Sequence, residues 1–251
     1  MSVSIGIDIG STCAKTIVLD ENRTILHRIL MPTGWSSVET AQTIKEKLGE
    51  YSIDVEKEKV VATGYGRISV PYADKCVTEI TCHGKGACHL FEKEDLLIID
   101  IGGQDTKGIS LKKGRVMKFI MNDKCSAGTG KFLEVMTNRL GLTQNELSEL
   151  ARKGNPITIS SMCTVFAESE VISLIGKGTP REDIAYGVIE SVVTKVVQLI
   201  SQVPAEQYFL TGGLCEDEYI IERLVKALGA PVSSAPLARY AGAVGAALMA
   251  E

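Results

Sequence analysis

A cysteine precedes a glycine-rich turn in the segment "MNDKCSAGTGK", residues 121–131. A phosphate-binding P-loop has the pattern G-x-x-x-x-G-K-[ST]. Here Cys125 stands where the first glycine should be, and Phe132 stands where the Ser or Thr should be. The P-loop interpretation therefore fails. Cys125 is a metal or redox ligand, a residue beside a nucleotide site, or a core thiol.

Two other turns combine a carboxylate at the end of a strand with glycine and small polar residues, "DIGST" from Asp8 and "DIGGQD" from Asp100. Glycine lets backbone N–H groups come close to phosphate oxygens, because it has no Cβ to block the approach. Two such turns facing each other would clamp a polyphosphate. Asp8, Asp100 and Asp105 would then hold Mg2+ mostly through water, because Mg2+ dehydrates reluctantly. A single turn of this kind is more often an ordinary hairpin.

Both turns belong to an internal repeat. Residues 7–23, "IDIGSTCAKTIVLDENR", align without gaps with residues 99–115, "IDIGGQDTKGISLKKGR", at an offset of 92, and eight of the 17 positions are identical. Charged residues and glycine also match in register, at Asp8/Asp100, Gly10/Gly102 and Lys15/Lys107. Chance similarity between apolar strands rarely reproduces such matches. We therefore predict a duplicated lobe.

Strands and helices must position these turns. Each copy has the pattern of three strands joined by two tight turns. The first copy continues into a helix near 36–49, a strand at 59–63 and a helix near 78–90. The second continues into helices near 129–140, 143–152, 164–176 and 181–202 and a strand at 207–211 that leads into "TGG". Thr143 and Glu146 stand three apart at the start of the second of these helices, which predicts a capping box. We predict an α/β fold with a first lobe at 1–94, a second lobe at 95–237, and a last helix in 238–251 that packs back on the first lobe.

Composition limits the function classes. The chain has 251 residues, of which 45% are hydrophobic and 23% charged, so it can bury the core of one large domain or of two lobes. The net charge of −4 and the lack of basic runs argue against nucleic acid or an anionic membrane as partner. The start of the chain does not look like a signal peptide, and no apolar run approaches about 18 residues. We expect a cytoplasmic protein.

The seven cysteines form an odd set, for which free thiols or metal ligands are more usual than disulfides in a reducing compartment. Taken alone, Cys125 and Cys163 are best interpreted as core thiols, since free cysteine is among the most buried residue types. Cys76, Cys82 and Cys88 recur every six residues. That spacing points successive helical side chains to different faces and is unlike a zinc knuckle, so it favours a structural role.

The order of the motifs "GIDIGST", "DIGGQD" and "TGG" resembles the actin, sugar-kinase and chaperone-ATPase superfamily. The resemblance implies a duplicated actin-like (ribonuclease H-like) fold whose two lobes close on ATP, with the first two motifs at the phosphates and the third near the adenosine. Gln104 or Asp105 would position the attacking water. The implied nucleotide contacts are Gly10, Ser11, Thr12, Cys13, Lys15, Gly102, Gly103, Gln104, Gly128, Gly130, Gly212 and Gly213.

Three longer strings are more specific. "ATGYGR", "NDKCSAGTGKF" and "CTVFAESEVISL" resemble the ATPase activators of 2-hydroxyacyl-CoA dehydratases, relatives of the benzoyl-CoA reductase ATPase subunits. The resemblance implies a homodimer that shares one [4Fe–4S] cluster, held by Cys125 and Cys163 of each chain. It also implies ferredoxin or flavodoxin as electron donor, and a dehydratase or related iron–sulfur reductase as the partner that receives the electron.

The residues agree with this implication. Each of the two cysteines precedes a predicted helix, and the N–H groups at a helix start favour both a thiolate and an anionic cluster. Two alternatives stay open. A sugar or acid kinase of the same fold would use Asp105 as a base, but it would not explain the paired cysteines. A nucleotide-dependent scaffold like actin is the non-enzymatic alternative.

Overall fold

The computed structural model describes residues 3–160 and 163–250. It divides into two compact units. The first comprises Met1–Leu96, Ile109–Phe119 and Ala235–Glu251, and the second comprises Leu97–Gly108 and Ile120–Ser234. Within the described ranges, no helix is long and apolar enough to cross a bilayer.

The first sheet has five strands in the order β3-β2-β1-β4-β5. The central strand β1 is antiparallel to β2 and parallel to β4, so the phosphate-type turn after β1 lies beside the end of β4. The strands are β1 (Ser4–Ile9), β2 (Cys13–Leu19), β3 (Ile25–Pro32), β4 (Lys59–Thr63) and β5 (Lys75–Cys76).

Helices cover the first sheet through apolar side chains that alternate along its strands. Ile5, Ile7 and Ile9 of β1 belong to one core cluster with Ile44 and Leu48 of α1 (Ser37–Glu50). Ile17 and Leu19 of β2 belong to another cluster with residues of α8 (Ala241–Ala247).

The small residues of α8 allow unusually close packing. A Cβ added at Gly6 of β1 would lie 2.0 Å from the carbonyl oxygen of Ala243. A Cβ added at Gly245 would lie 1.7 Å from the carbonyl oxygen of Cys82, in α2 (Glu79–Phe91). Helix α8 therefore packs backbone to backbone against β1 and α2.

The second sheet also has five strands, in the order β10-β9-β6-β7-β8, and β9 is parallel to β6. Strand β9 thus stands beside β6 as β4 stands beside β1. The strands are β6 (Leu96–Ile101), β7 (Thr106–Lys112), β8 (Arg115–Asn122), β9 (Tyr208–Gly212) and β10 (Val232–Ser233). The remaining helices are α3 (Gly130–Leu140), α4 (Gln144–Ala151), α5 (Thr164–Gly176), α6 (Arg181–Ile200) and α7 (Glu218–Leu228).

Most elements agree with the sequence-based predictions. The three-strand pattern of each repeat is present, and the predicted helices correspond to α1–α6 and α8. The capping box at the start of α4 is confirmed: Thr143 Oγ1 accepts a hydrogen bond from the Glu146 N–H, and the Glu146 side chain accepts one from the Thr143 N–H. Helix α7 was not predicted.

Candidate functional site

The first phosphate-type turn, residues 10–12, joins β1 to β2. It is closed by a hydrogen bond from the Gly10 N–H to the Cys13 carbonyl oxygen at 3.1 Å. Ser11 and Thr12 are exposed, whereas Asp8 at the end of β1 is buried and lies 3.8 Å from Lys15 Nζ. The turn therefore presents small polar residues to solvent, beside an ion pair between the buried Asp8 and the partly buried Lys15.

The second turn, residues 102–105, has the same geometry. The Gly102 N–H donates to the Asp105 carbonyl oxygen at 2.9 Å, the equivalent of the Gly10 bond. The buried Lys107 ammonium lies 3.4 Å from Asp100 and 2.7 Å from Asp105. A buried cation needs such partners, because removal from water is otherwise too costly. The Asp105 side chain is 28% exposed against 5% for Asp100, so Asp105 is the carboxylate of this pair that solvent reaches.

A Thr-Gly pair lies at the end of the neighbouring parallel strand in each unit. Thr63 pairs with Asp8 in the first sheet, and Thr211 pairs with Asp100 in the second. The next residues, Gly64 and Gly212, have φ angles of +82° and +87°. A Cβ there would lie 2.4 Å from Asp8 Oδ1 or 2.6 Å from Asp100 Oδ1. Both glycines let the chain pass directly over the buried carboxylate.

The role of Gly64 was not predicted, although "ATGYGR" was noted for its resemblance. The signal was present in the sequence, because "VVATG" repeats the apolar strand and Thr-Gly ending of "YFLTG". Gly213, predicted to lie near the adenosine, donates its N–H to the Ile101 carbonyl oxygen at 3.0 Å. In the first unit, the Gly66 N–H donates to the Ile9 carbonyl oxygen at 2.8 Å in the same way.

Cys125 lies in a loop that is bonded to the second phosphate-type turn. The N–H groups of Gly130 and Lys131 donate to the carbonyl oxygens of Gly102 and Gly103 at 2.9 and 2.8 Å. Thr106 Oγ1 also donates to the Gly128 carbonyl oxygen at 2.7 Å. Gly128 and Gly130, predicted as nucleotide contacts, thus make internal bonds to this turn and to β7.

Cys163 is the N-cap residue of α5, and its carbonyl oxygen accepts the Ala167 N–H at 2.8 Å. Ser161 and Met162 lie outside the described residues. Before them, the Ser160 N–H donates to the Glu170 carboxylate of α5 at 3.0 Å. Arg139 of α3 donates to Glu168 of α5 at 2.9 Å, which joins the helices that follow the two cysteines.

The structure brings the two cysteine segments together. Ser126 and Thr164, the residues that follow Cys125 and Cys163, share a hydrogen bond of 2.8 Å between their hydroxyl groups. Both cysteines are exposed. The interpretation of these residues as core thiols, favoured by the residues alone, is therefore wrong.

One expectation about the cysteines needs correction. Cys163 occupies a helix N-terminus, but Cys125 does not, because α3 has Thr129 as its N-cap. The intervening residues form a loop in which the Thr129 N–H donates to the Ser126 carbonyl oxygen at 3.1 Å. Only the Cys163 thiol thus lies directly at a helix start.

The cysteines of the six-residue series, Cys76, Cys82 and Cys88, lie in three different settings. Cys82 is buried, and burial raises its pKa from 9.0 to about 11. Burial also raises the pKa of Cys88. The exposed Cys76 thiol lies 3.3 Å from the Arg67 carbonyl oxygen. No group of three or more His, Cys, Asp and Glu side chains suited to a metal ion occurs among the residues that the structure describes.

Comparison with known proteins assigns this architecture. The sequence matches the BadF/BadG/BcrA/BcrD ATPase family over residues 5–250. The (R)-2-hydroxyglutaryl-CoA dehydratase activating ATPase of Acidaminococcus fermentans is 42% identical over 253 residues, which cover 98% of this chain and 96% of that protein.

Solved structures agree. Component A of the A. fermentans (R)-2-hydroxyglutaryl-CoA dehydratase aligns with a TM-score of 0.92 and 41% identity over 99% of this chain and 97% of that one. The activator of the 2-hydroxyisocaproyl-CoA dehydratase from Clostridium difficile, with bound ADPNP, aligns with a TM-score of 0.91 and 35% identity over 99% and 94% of the chains. The prediction of a duplicated, actin-like α/β fold is confirmed.

Proposed function

This chain belongs to the BadF/BadG/BcrA/BcrD ATPase family, and from that premise we propose that it is an ATP-dependent activator. It transfers a low-potential electron from a [4Fe–4S] cluster to a 2-hydroxyacyl-CoA dehydratase or a related iron–sulfur reductase, and the transfer is coupled to ATP hydrolysis. The observation that carries the proposal is the pair of exposed cysteines on segments joined by the Ser126–Thr164 hydrogen bond.

The residues fit an iron–sulfur cluster shared between two copies of the chain. Cys125 and Cys163 are accessible, and their segments adjoin, yet two thiolates supply only half of the four ligands that a [4Fe–4S] cluster takes. A twofold axis through the site would supply the same two groups from a second copy. When bound, such a cluster would accept and release an electron at a potential set by its ligands, hydrogen bonds and exposure. The proposed homodimer follows from this ligand arithmetic.

We assign the phosphates of ATP to the two turns. Their exposed or half-buried residues would bind phosphate oxygens, and Lys15 with Cys13 would support the first turn. Asp8, Asp100 and Asp105 would hold Mg2+, mostly through water. Either Asp105 or the neighbouring Gln104 would position the attacking water. Asp105 is the more accessible of the two carboxylates paired with Lys107. The phosphate contacts are Gly10, Ser11, Thr12, Gly102, Gly103 and Gln104, and Gly212 and Gly213 would border the adenosine.

Hydrogen bonds inside the second unit provide a path from nucleotide to cysteine. The carbonyl oxygens of Gly102 and Gly103 hold the first residues of α3, and Thr106 holds Gly128. A shift of this turn on hydrolysis would move the start of α3 and, with it, the Cys125 loop. The Ser126–Thr164 bond would pass the shift to Cys163. We propose this route as the coupling between nucleotide state and the cluster ligands.

Partners follow from the same assignment. The proposed electron donor is ferredoxin or flavodoxin, and the proposed acceptor is the dehydratase or reductase, in the cytoplasm. The net charge of −4 gives no support for nucleic acid as a partner. The exposed cysteines on adjoining segments argue against the sugar- or acid-kinase alternative, because a kinase would give them no role.

Iron content tests the proposal. Protein purified without oxygen should contain about two iron atoms per chain, since four are shared by two chains. Cys125→Ala and Cys163→Ala should each remove two of four ligands from a dimer and give nearly colourless protein that still binds ATP. Cys76→Ser and Cys88→Ser are the matched controls and should keep the full iron content. About four iron atoms per chain, or a coloured monomer, would refute the shared cluster.

A further inference from the structure

Asn122, the last residue of β8, binds the Cys125 loop with its whole side-chain amide. Its Nδ2 donates to the carbonyl oxygens of Cys125 at 2.8 Å and of Ala127 at 3.2 Å. Its Oδ1 accepts the Cys125 N–H at 3.3 Å. The two peptide groups of Cys125 are therefore held by one side chain that is anchored in the sheet.

The next residue, Ser126, divides its polar groups between two partners. Its carbonyl oxygen accepts the N–H and the hydroxyl of Thr129, at 3.1 and 2.7 Å. Its hydroxyl is bonded to the Thr164 hydroxyl at 2.8 Å. Replacing only the Ser126 hydroxyl therefore leaves the bonds within the loop intact and removes the connection to α5.

Loop ligands are usually poor at holding a cluster unless something orders them. Ordering a backbone residue costs roughly 1–2 kcal/mol, and this cost falls on the binding step when the ligand is mobile beforehand. Hydrogen bonds from residues behind the ligands reduce that cost, and at metal sites they orient the ligands themselves. Asn122, Ser126 and Thr164 are in this position relative to Cys125 and Cys163.

We propose that the Ser126–Thr164 hydrogen bond, with Asn122 as the anchor of the loop, is a brace that sets the spacing of Cys125 and Cys163 before the cluster binds. These three are positioning residues, since they act through the cysteines. The inference rests on the proposed function, because it concerns ligands of the proposed cluster.

The brace is tested by the rate at which an iron chelator removes iron from the dimer in the absence of ATP turnover. Ser126→Ala and Thr164→Val each break the bond, and a symmetric dimer contains it twice. We expect each variant to lose iron roughly tenfold faster than the parent, which corresponds to about 1.4 kcal/mol for the two bonds together. Asn122→Ala, which removes three contacts, should lose iron faster still.

The double variant separates a brace from general damage. Because both substitutions remove the same bond, Ser126→Ala with Thr164→Val should lose iron hardly faster than either single variant, so the two effects should not add. Thr164→Ser keeps a hydroxyl and should restore the parental rate. Ser169→Ala is the matched control, since that hydroxyl lies on the same helix and bonds to the Val165 carbonyl oxygen of that helix at 3.2 Å.

The outcomes are distinguishable. A parent protein with a full cluster, combined with single variants that release iron like Ser169→Ala, overturns the brace and leaves the proposed function standing. Additive effects in the double variant also overturn it. A parent protein that holds no iron after purification without oxygen overturns the proposed function, and the brace falls with it.

Discussion

At Gly212, one added methyl group should lower both the stability of the protein and its affinity for ATP, and the two effects can be measured separately. It is the last residue of β9 and has φ +87°, and a Cβ would lie 2.4 Å from the Ile101 carbonyl oxygen and 2.6 Å from Asp100 Oδ1. The first atom belongs to the backbone of β6, and the second to a buried carboxylate beside Lys107. Neither can move aside without disturbing the second phosphate-type turn.

The cost has two parts. A left-handed backbone costs a residue with a Cβ roughly 1–2 kcal/mol. Forcing extra volume into a packed site typically adds about 1–3 kcal/mol. Gly212→Ala should therefore lower the free energy of unfolding by roughly 2–5 kcal/mol. Gly229→Ala in the same unit is the matched control, since Gly229 has φ +65° but nothing within 4 Å of its added Cβ. Gly229→Ala should show the cost of the left-handed backbone alone.

Urea denaturation of the two variants measures the difference, and calorimetric titration with Mg-ATP measures its consequence. Gly212→Ala should lose ATP affinity because its Cβ displaces the Asp100 carboxylate, whereas Gly229→Ala should bind ATP like the parent. Gly64→Ala should repeat the loss in the first unit, where a Cβ would lie 2.4 Å from Asp8 Oδ1. Equal destabilisation of Gly212→Ala and Gly229→Ala, with unchanged ATP affinity, would refute the reasoning.

Two more predictions concern the acidic residues and a buried thiol. Asp8→Ala and Asp105→Ala should each lower the rate of Mg2+-dependent ATP hydrolysis by on the order of a hundredfold, which is the usual scale for a positioned catalytic group. The iron content of both variants should equal that of the parent protein. Loss of iron with a normal rate of hydrolysis would contradict this assignment. Burial raises the pKa of Cys82 from 9.0 to about 11. As the pH rises, the Cys82 thiol therefore ionises in the unfolded chain before it ionises in the folded one. The free energy of unfolding should fall as the pH rises from about 9 through 11. Denaturation midpoints measured across this interval should fall less steeply in Cys82→Ala, and parallel curves would argue against the thiol as the cause.

The internal repeat explains why so much of the fold was predictable. Asp8 and Asp100 recur with Lys15 and Lys107, and each pair forms an ion pair at the end of a central strand. Local signals also predicted single elements, as in the capping box at Thr143. Helix α7 has such signals too, with Asp217 as N-cap and Gly229 as C-cap, so local sequence also indicates this helix.

The arrangement of the cysteines was beyond local signals. Ser126 and Thr164 are 38 positions apart, and their hydrogen bond exists because α3 and α5 pack side by side. The periodicity of apolar residues within a helix or strand does not predict a contact between residues so far apart in the sequence. The position of Cys125 outside the helix start has a similar origin, because Thr129 rather than the cysteine ends up as the cap of α3.

The two copies of the repeat have diverged where the second meets the cysteine loop. Their turns share the hydrogen bond that closes them, at Gly10 and Gly102. At the next positions the first copy has Cys13 and Ala14, whereas the second has Asp105, which binds Lys107, and Thr106, whose hydroxyl binds the Gly128 carbonyl oxygen. Alanine has no hydroxyl, so the first copy has no equivalent of the Thr106 bond. The shared residues suit a phosphate turn in either unit. Of the residues that differ, Thr106 connects the second turn to the loop of Cys125. The proposed coupling between nucleotide and cysteines would begin at this bond.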